Sequence, residues 1–102
     1  MYDMSKLSGL ATLDTLALDG MAAFRAFDKA TFAAGSLSAR EKQLISVAVA
    51  LATQCPYCIE LHADAARKEG ATDYELAEAA LVAAAIRAGG AITHATHLFS
   101  GR

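Results

Sequence analysis

The hydrophobic positions of the chain recur at the three- to four-residue spacing of helices. From Leu13 to about Ala34 the larger apolar side chains fall roughly on one face, at Leu16, Met21, Phe24, Phe27 and Phe32. Gly35 is expected to follow the C-terminus of this helix, because glycine readily adopts the left-handed conformation found there. Residues 1–12 are expected to form a loosely structured lead-in.

A capping box predicts the start of the second helix, with Ser38 as N-cap and Glu41 three residues later. This helix is predicted to run to about Thr53. Every residue from Leu44 to Ala52 except Ser46 is apolar. The second helix is therefore expected to be buried on nearly all sides.

Proline, glycine and a second capping box predict the remaining helices. Pro56 suits the first position of a helix, and Gly70 is placed to end it. Thr72 and Glu75 form the second capping box, and the pair Gly89-Gly90 is expected to break the helix that it opens. The predicted helices cover, in order, residues 13–34, 39–53, 56–69, 73–88 and 91–99.

The composition predicts an all-α protein. Alanine supplies 25 of the 56 hydrophobic residues, whereas valine and isoleucine together number seven. Because alanine favours helices and β-branched residues favour strands, we expect one domain over residues 1–102, a bundle of about five helices. Alanine buries little area per residue, and a domain of this size buries only about two-thirds of its unfolded surface. Further burial against copies of the same chain, in a homo-oligomer, is therefore expected.

Charge and hydropathy argue against nucleic-acid and membrane partners. The net charge is -2, without a basic patch for phosphates. The longest uncharged run, residues 44–59, is shorter than the roughly 20 apolar residues that span a membrane. The first residues lack the positive segment of a signal peptide. A reducing cytoplasm is the expected compartment, where a cysteine pair indicates redox or metal chemistry.

The most informative segment holds Cys55, Cys58 and His62. On a helix these side chains fall within about 60° of one another, because each residue advances by about 100°. Cysteines three apart at a helix start have Cα atoms about 5 Å apart, which suits a disulfide. Cys55 is predicted at the N-cap, where the helix dipole favours a thiolate, and His62 can accept the proton of Cys58. A redox-active dithiol with a neighbouring base is the predicted site.

Three other interpretations of this segment remain open. The cysteines and His62, with His94 or His97 as a fourth ligand, could hold a zinc ion in a structural or regulatory module. The cysteines could also be buried free thiols beside a hydrogen-bonded histidine of the core. A disulfide that only carries electrons, without turnover of its own, is a further alternative.

The run from Leu37 to Gly70 resembles the alkylhydroperoxidase D-like core of the carboxymuconolactone decarboxylase superfamily. The shared pattern is Cys-x-x-Cys-x-x-x-His after a capped apolar helix, and the segments 83–87 and 89–90 are also similar. The resemblance implies an all-helical unit that assembles as trimers or hexamers. It also implies that the cysteine pair reduces hydroperoxides, whereas the decarboxylase branch lacks this pair.

The resemblance assigns catalytic roles to Cys55, Cys58 and His62, and this chain departs from the family at one position. Many members carry a glutamate of a proton relay twelve residues before the first cysteine, where this chain has Gln43. Glu41 lies about 200° away around the helix; its capping box is the favoured explanation, and a catalytic role makes it a weaker candidate for the site. Gln43 could instead hold a water molecule or the histidine by hydrogen bonding.

His94 is a weaker candidate for the site, since similar sequences often place a histidine there. The expected mechanism starts with attack of Cys58 on a hydroperoxide, with His62 as base. Cys55 then forms the disulfide, and an external dithiol reduces it. The opposite assignment of the two cysteines stays open. No cofactor or metal is expected in this mechanism.

Overall fold

The computed structural model describes residues 3–99 and 101. Five α-helices follow one another, and no strand occurs among these residues. They are α1 (Leu10–Leu16), α2 (Leu18–Phe32), α3 (Ala39–Thr53), α4 (Pro56–Lys68) and α5 (Asp73–Ala95), with short 3-10 helices at Met4–Gly9 and Thr96–Phe99. The predicted all-α class with about five helices is confirmed.

The N-terminal region differs from the expectation in three ways. The lead-in is helical from Met4 onward (residues 1 and 2 lie outside the described part), because Asp3 accepts a hydrogen bond from the Ser5 N–H at 3.0 Å and caps the first turn. The single helix predicted over 13–34 is interrupted at Ala17, whose φ of -123° and ψ of 58° are not helical. Gly35 does not follow the helix end, because α2 stops at Phe32.

An ion pair between Arg25 of α2 and Asp14 of α1 joins the two helices on either side of Ala17. Arg25 donates from Nε and Nη2 to the two carboxylate oxygens of Asp14, each at 2.8 Å. This fork-to-fork geometry restricts the angle between α1 and α2. The pKa of Asp14 lies below its usual range, chiefly because Arg25 donates these hydrogen bonds.

Both predicted capping boxes are present. Ser38 accepts from the Glu41 N–H at 3.0 Å and its own N–H donates to the Glu41 carboxylate at 2.9 Å. Thr72 and Glu75 repeat this arrangement at the start of α5. The pKa of Glu75 is lowered, first by the Thr72 N–H and then by Arg40, which pairs with it from α3.

The core is small and lies where α3 packs against α4 and α5. Its buried members are Val47, Ala66 and Ala71, with Leu44, Leu51, Ala63 and Leu76 packed around them. The expectation that α3 is buried on nearly all sides is wrong for the single chain, because Ile45 is 49% exposed and Val49 is 55% exposed. The alanine-rich neighbours of α3 are too small to cover its whole circumference.

The predicted break at Gly89-Gly90 is wrong, since α5 continues to Ala95. Each glycine costs a helix about 1 kcal/mol relative to alanine, and an otherwise favourable helix of 23 residues tolerates that loss. The predicted short helix over 91–99 is therefore the end of α5 followed by one 3-10 turn, Thr96–Phe99.

The continuous stretch Asp73–Phe99 is long and apolar enough to cross a membrane, judged by length and composition alone. It has 27 residues, a mean hydropathy of 1.4 in its most apolar window, and only 6% of that window is buried within the chain. One such helix is a weak indication, because helices of soluble proteins can have the same composition. The absence of a membrane partner stays a prediction.

The single chain is extended for its size. Its radius of gyration is 17.2 Å, whereas a compact domain of this length has about 13 Å. It exposes 7571 Å², whereas a compact monomer of 10.6 kDa exposes about 5500 Å². About 2000 Å² of surface is therefore exposed beyond that of a compact monomer.

Gly70, in the turn after α4, allows a test of the fold. Gly70 has a φ of 91°, which strains any residue with a Cβ, whereas Gly20 lies in the first turn of α2 with open space around it. We expect Gly70→Ala to lower the free energy of unfolding by about 1 kcal/mol and Gly20→Ala to raise it by up to about 1 kcal/mol. Chemical denaturation of both variants measures the difference. Equal effects would contradict the assignment of strain to Gly70.

Candidate active site

The two cysteines lie at the start of α4. Cys55 is the N-cap and Cys58 is in the first turn, with Cα atoms 5.3 Å apart and sulfur atoms within disulfide-bonding distance. The Cys58 N–H donates to the Cys55 Sγ at 3.2 Å. This bond and the helix dipole both stabilise negative charge on the Cys55 sulfur when the pair is reduced.

A tight turn between α3 and α4 positions this pair. Gln54 ends α3 in the left-handed conformation, with a φ of 55°. The Cys55 N–H then donates back to the Ala50 carbonyl at 3.0 Å, and Pro56 opens α4 at its first position. The prediction of Cys55 as N-cap and Pro56 as first helical residue is confirmed. The unusual conformation of Gln54 was not predicted, because glutamine carries no specific signal for it.

His62 lies one turn beyond Cys58 and is half-buried. Its Nδ1 is 2.9 Å from the Gln43 Oε1 on α3, and its ring stacks on Phe32 with centroids 5.1 Å apart. An amide oxygen can only accept, so Nδ1 carries the hydrogen in this arrangement. The Nε2 of His62 is then unprotonated in the neutral ring and can accept a proton.

Two cavities meet at this point of the molecule. The larger has a volume of about 650 Å³ and the smaller about 550 Å³, and Phe32, Cys58 and His62 line both. Cys55 lines neither cavity. A small molecule in either cavity therefore lies beside Cys58 rather than Cys55.

The larger cavity combines apolar walls with a few polar groups. The 3-10 helix at Met4–Gly9 contributes Lys6 and Leu7, while α2 contributes Phe24, Arg25 and Asp28. Gln43 and Tyr57, which are closer to the cysteines in sequence than the residues just named, add further polar groups to the lining. A volume of this size and mixed character is typical of small-molecule sites.

The weaker candidates Glu41 and His94 are not part of the lining of either cavity. Glu41 belongs to its capping box and lines neither cavity. His94 has its Nδ1 3.0 Å from the Gly90 carbonyl oxygen and its ring 5.6 Å from that of His97. Neither histidine lines a cavity with Cys58.

The ligand set of the zinc alternative does not come together in this chain. Over the described ranges 3–99 and 101, no group of three or more histidine, cysteine, aspartate or glutamate side chains is placed to hold a metal ion. His94 and His97 are the two possible fourth ligands, and both belong to the far end of the helical stretch that begins at Asp73. One chain therefore does not assemble the proposed four ligands.

Phe32 is the site residue that the sequence did not reveal. Its spacing identified it only as one of the apolar residues on one face of the first predicted helix, whereas in the structure it stacks on His62 and lines both cavities. A contact between residues 30 positions apart leaves no local pattern in the sequence.

Comparison with known proteins shows the family of the chain. The model of the carboxymuconolactone decarboxylase family matches residues 19–100. The chain belongs to this family. The match covers α2 to α5 and the whole Cys-x-x-Cys-x-x-x-His segment, so the resemblance seen in the sequence is confirmed at the level of the carboxymuconolactone decarboxylase family.

Individual proteins are similar to this one over most of the chain. A protein of Paracoccus denitrificans named uncharacterized protein 4 in cox locus is 49% identical over 98 residues, covering 93% of this chain and 88% of that protein. A crystal structure from Methanobacterium thermoautotrophicum is 47% identical and has a TM-score of 0.73, covering 78% of this chain and 91% of that one.

A second solved structure carries the family name. The apo form of a carboxymuconolactone decarboxylase family protein from Legionella pneumophila is 31% identical, with a TM-score of 0.78. The match covers 88% of this chain and 80% of that chain. The helical arrangement described here is therefore the fold of this family.

The Gln43 contact generates a test of the site geometry. We expect nitrogen NMR of the neutral protein to show the hydrogen of His62 on Nδ1, because the Gln43 Oε1 accepts it. Gln43→Leu removes this acceptor, so His62 should shift toward a mixture of tautomers. The ring signals of His94 serve as the control, since its partner is the Gly90 carbonyl. Unchanged signals of His62 in the variant would contradict the assignment.

Proposed function

We propose that this protein is a thiol-dependent peroxidase that reduces hydroperoxides through the Cys55–Cys58 pair. The observation that supports the proposal most directly is the placement of the pair at the N-terminus of α4, with Cys58 and His62 at the junction of two cavities. Membership of the carboxymuconolactone decarboxylase family is consistent with an enzyme of this kind.

Cys58 is the attacking nucleophile in this proposal, because it lines the cavities and Cys55 does not. The Cys58 thiolate attacks one oxygen of the hydroperoxide, and the O–O bond breaks. Cys58 becomes a sulfenic acid, while the other oxygen leaves as an alcohol after taking up a proton.

Cys55 resolves the sulfenic acid. Its sulfur accepts the Cys58 N–H and lies at the positive end of α4, so the thiolate form is favoured. Attack on the sulfenic sulfur forms the disulfide and releases the hydroxyl group, which leaves as water with one proton. One thiolate of an external dithiol then attacks the Cys58 sulfur and displaces Cys55 as the stabilised thiolate. The second thiol of the dithiol attacks the resulting mixed disulfide, which releases Cys58 and leaves the dithiol oxidised to a disulfide.

His62 handles the proton in the attack on the hydroperoxide. With Nδ1 donating to Gln43, its Nε2 is free to take the proton of the Cys58 thiol. The same proton can then be given to the alcohol that leaves. Gln43 acts as a positioning residue that holds the ring, in the place where many family members carry a glutamate.

We also propose that the protein works as a trimer or hexamer in the reducing cytoplasm. The excess of about 2000 Å² over a compact monomer is more than twice the roughly 800 Å² that each partner contributes to a standard interface. Contacts with more than one other copy of the chain would account for an excess of exposed surface of this size. A reducing compartment would supply the external dithiol that the catalytic cycle requires.

The two cysteine variants test the roles assigned to them. We expect Cys58→Ser to slow consumption of an organic hydroperoxide by more than about 1000-fold, because the nucleophile is lost. Cys55→Ser should consume one equivalent and then stop as the sulfenic acid. The chain has no tryptophan, so rapid acid quenching and intact mass, which records the gain of one oxygen atom, are the suitable measurement.

The same experiment separates the alternatives. A disulfide that forms with a chemical oxidant and is reduced by dithiols, but consumes no peroxide, would identify an electron-transfer protein. A metal ion that persists through dialysis and prevents disulfide formation would identify a zinc module. Peroxide consumption that survives Cys58→Ser would contradict the proposed peroxidase.

His62→Ala tests the base. We expect it to slow oxidation of the reduced protein near neutral pH by about 100-fold or more, because a general base typically contributes that much. The pH dependence of alkylation should also move, with the thiolate of Cys58 appearing only at higher pH. His97→Ala is the matched control, since His97 lines neither cavity. An unchanged thiolate titration would remove His62 from the mechanism.

A further inference from the structure

The N-terminal segment of the chain forms one wall of the larger cavity. Lys6 and Leu7 of the first 3-10 helix line this cavity, and so does Leu10 at the start of α1. The same 3-10 helix contacts α4, which carries the reactive pair. The family match begins at residue 19, so this wall comes from a part of the chain outside the match. Such a segment can set the specificity of a site without altering its catalytic residues.

The larger cavity, with a volume of about 650 Å³, is mainly apolar. Pockets of roughly 300–1,000 Å³ hold ligands of the size of a drug molecule. A hydroperoxide with a long hydrocarbon body would bury apolar surface here, whereas hydrogen peroxide has none to bury. The apolar side chains of the lining include Leu7, Leu10, Met21, Phe24, Leu61 and Ala65.

Lys6 is the charged group of this lining that lacks a compensating partner. Among the described residues, the lining holds two permanent cations, Lys6 and Arg25, and one carboxylate, Asp28. Arg25 is already bonded to Asp14, and its pKa is raised first by these hydrogen bonds and to a smaller extent by the charge of Asp28. None of the ion pairs in the described part of the chain involves Lys6. An anionic group of a ligand therefore finds an available ammonium group in this cavity.

We propose that the larger cavity selects amphipathic hydroperoxides that carry a carboxylate, as the hydroperoxides of fatty acids do. The hydrocarbon body lies against Leu7 and Leu10, and the carboxylate pairs with Lys6. Because Lys6 is exposed, the carboxylate bound there keeps part of its hydration. This inference names the substrate class of the proposed peroxidase and rests on that proposal for turnover. The cysteine pair supplies two electrons, the hydroperoxide group becomes a hydroxyl group with release of water, and the carboxylate is unchanged.

Protection of Cys58 against alkylation measures the binding step without peroxide. In a Cys55→Ser background, decanoate should slow the reaction of Cys58 with iodoacetamide, because both occupy the same cavity. We expect decanoate to protect at about fivefold lower concentration than its methyl ester, equivalent to about 1 kcal/mol, which is typical of a favourable exposed ion pair. Hexanoate should protect only at higher concentration, since its shorter body buries less apolar surface.

Matched variants separate the contribution of the charge from that of the apolar wall. Lys6→Gln should abolish the preference for decanoate over its ester, whereas Lys29→Gln should keep it, because Lys29 is exposed on α2 and lines neither cavity. Leu10→Ala should weaken protection by both ligands. Leu16→Ala is its control, since Leu16 is 79% exposed on α1 and lines neither cavity. Alanine preserves the helix at both positions.

Turnover tests the substrate class itself. The hydroperoxides of linoleic acid and of methyl linoleate share the reacting group and the hydrocarbon body and differ in the carboxylate. We expect kcat/KM of the parent protein to be about fivefold higher for the acid. The difference should lie in KM rather than kcat, because the carboxylate contact is the same in the bound substrate and in the transition state. Lys6→Gln should remove this difference.

The outcomes distinguish this inference from the proposed function. Equal protection by decanoate and its ester in the parent protein, or a preference that survives Lys6→Gln, would overturn the carboxylate site. If protection depends on Lys6 but Cys58→Ser leaves peroxide consumption intact, the carboxylate site stands and the peroxidase assignment falls. If Cys58 is required but both linoleate hydroperoxides react equally well, the peroxidase stands and the proposed selectivity falls.

Discussion

The reversal of the chain between α3 and α4 is the constraint on which the rest of the site depends. Gln54 takes the left-handed conformation, the Cys55 N–H returns to the Ala50 carbonyl, and Pro56 starts α4 at once. Together these features hold the N-cap sulfur at the N-terminus of α4. The turn also sets α4 beside α3, which brings His62 to Gln43.

The dominance of alanine has two opposite effects on this structure. Small side chains let α3, α4 and α5 approach closely around Val47 and Ala66, which keeps the site elements in place. The same small side chains bury little area, so large apolar residues such as Val49 and Ile86 stay exposed in the single chain. Association that covered these exposed apolar side chains would add to the stability of the fold.

Local hydrogen bonding was predictable from the sequence, and tertiary contacts were not. The capping boxes at Ser38 and Thr72 use residues three apart, so the pattern of residue types determines them. The break at Ala17 has no such signal, because the conformation there comes from the surrounding helices rather than from alanine itself. The continuity of α5 through Gly89-Gly90 shows that a weak local preference yields to a long helix.

The same distinction applies to the candidate site, where contacts within one helix were predictable from the sequence and contacts between helices were not. Cys55, Cys58 and His62 lie on one helix, so their spacing was enough to bring them together. The partners of His62 come from other helices, and only the possibility of the Gln43 contact could be stated beforehand. The Phe32 contact required the packing of α2 against the site, which periodicity cannot reveal.

The disulfide closes a loop of only four residues, since its cysteines are three apart in sequence. By loop-closure entropy such a bridge restrains the unfolded chain by about 2 kcal/mol, compared with about 4.7 kcal/mol for a loop of 100 residues. The bridge also lies inside one end of α4 and ties no distant segments together. Opening such a bridge would free no distant part of the chain, so the proposed cycle of oxidation and reduction requires no rearrangement of the scaffold.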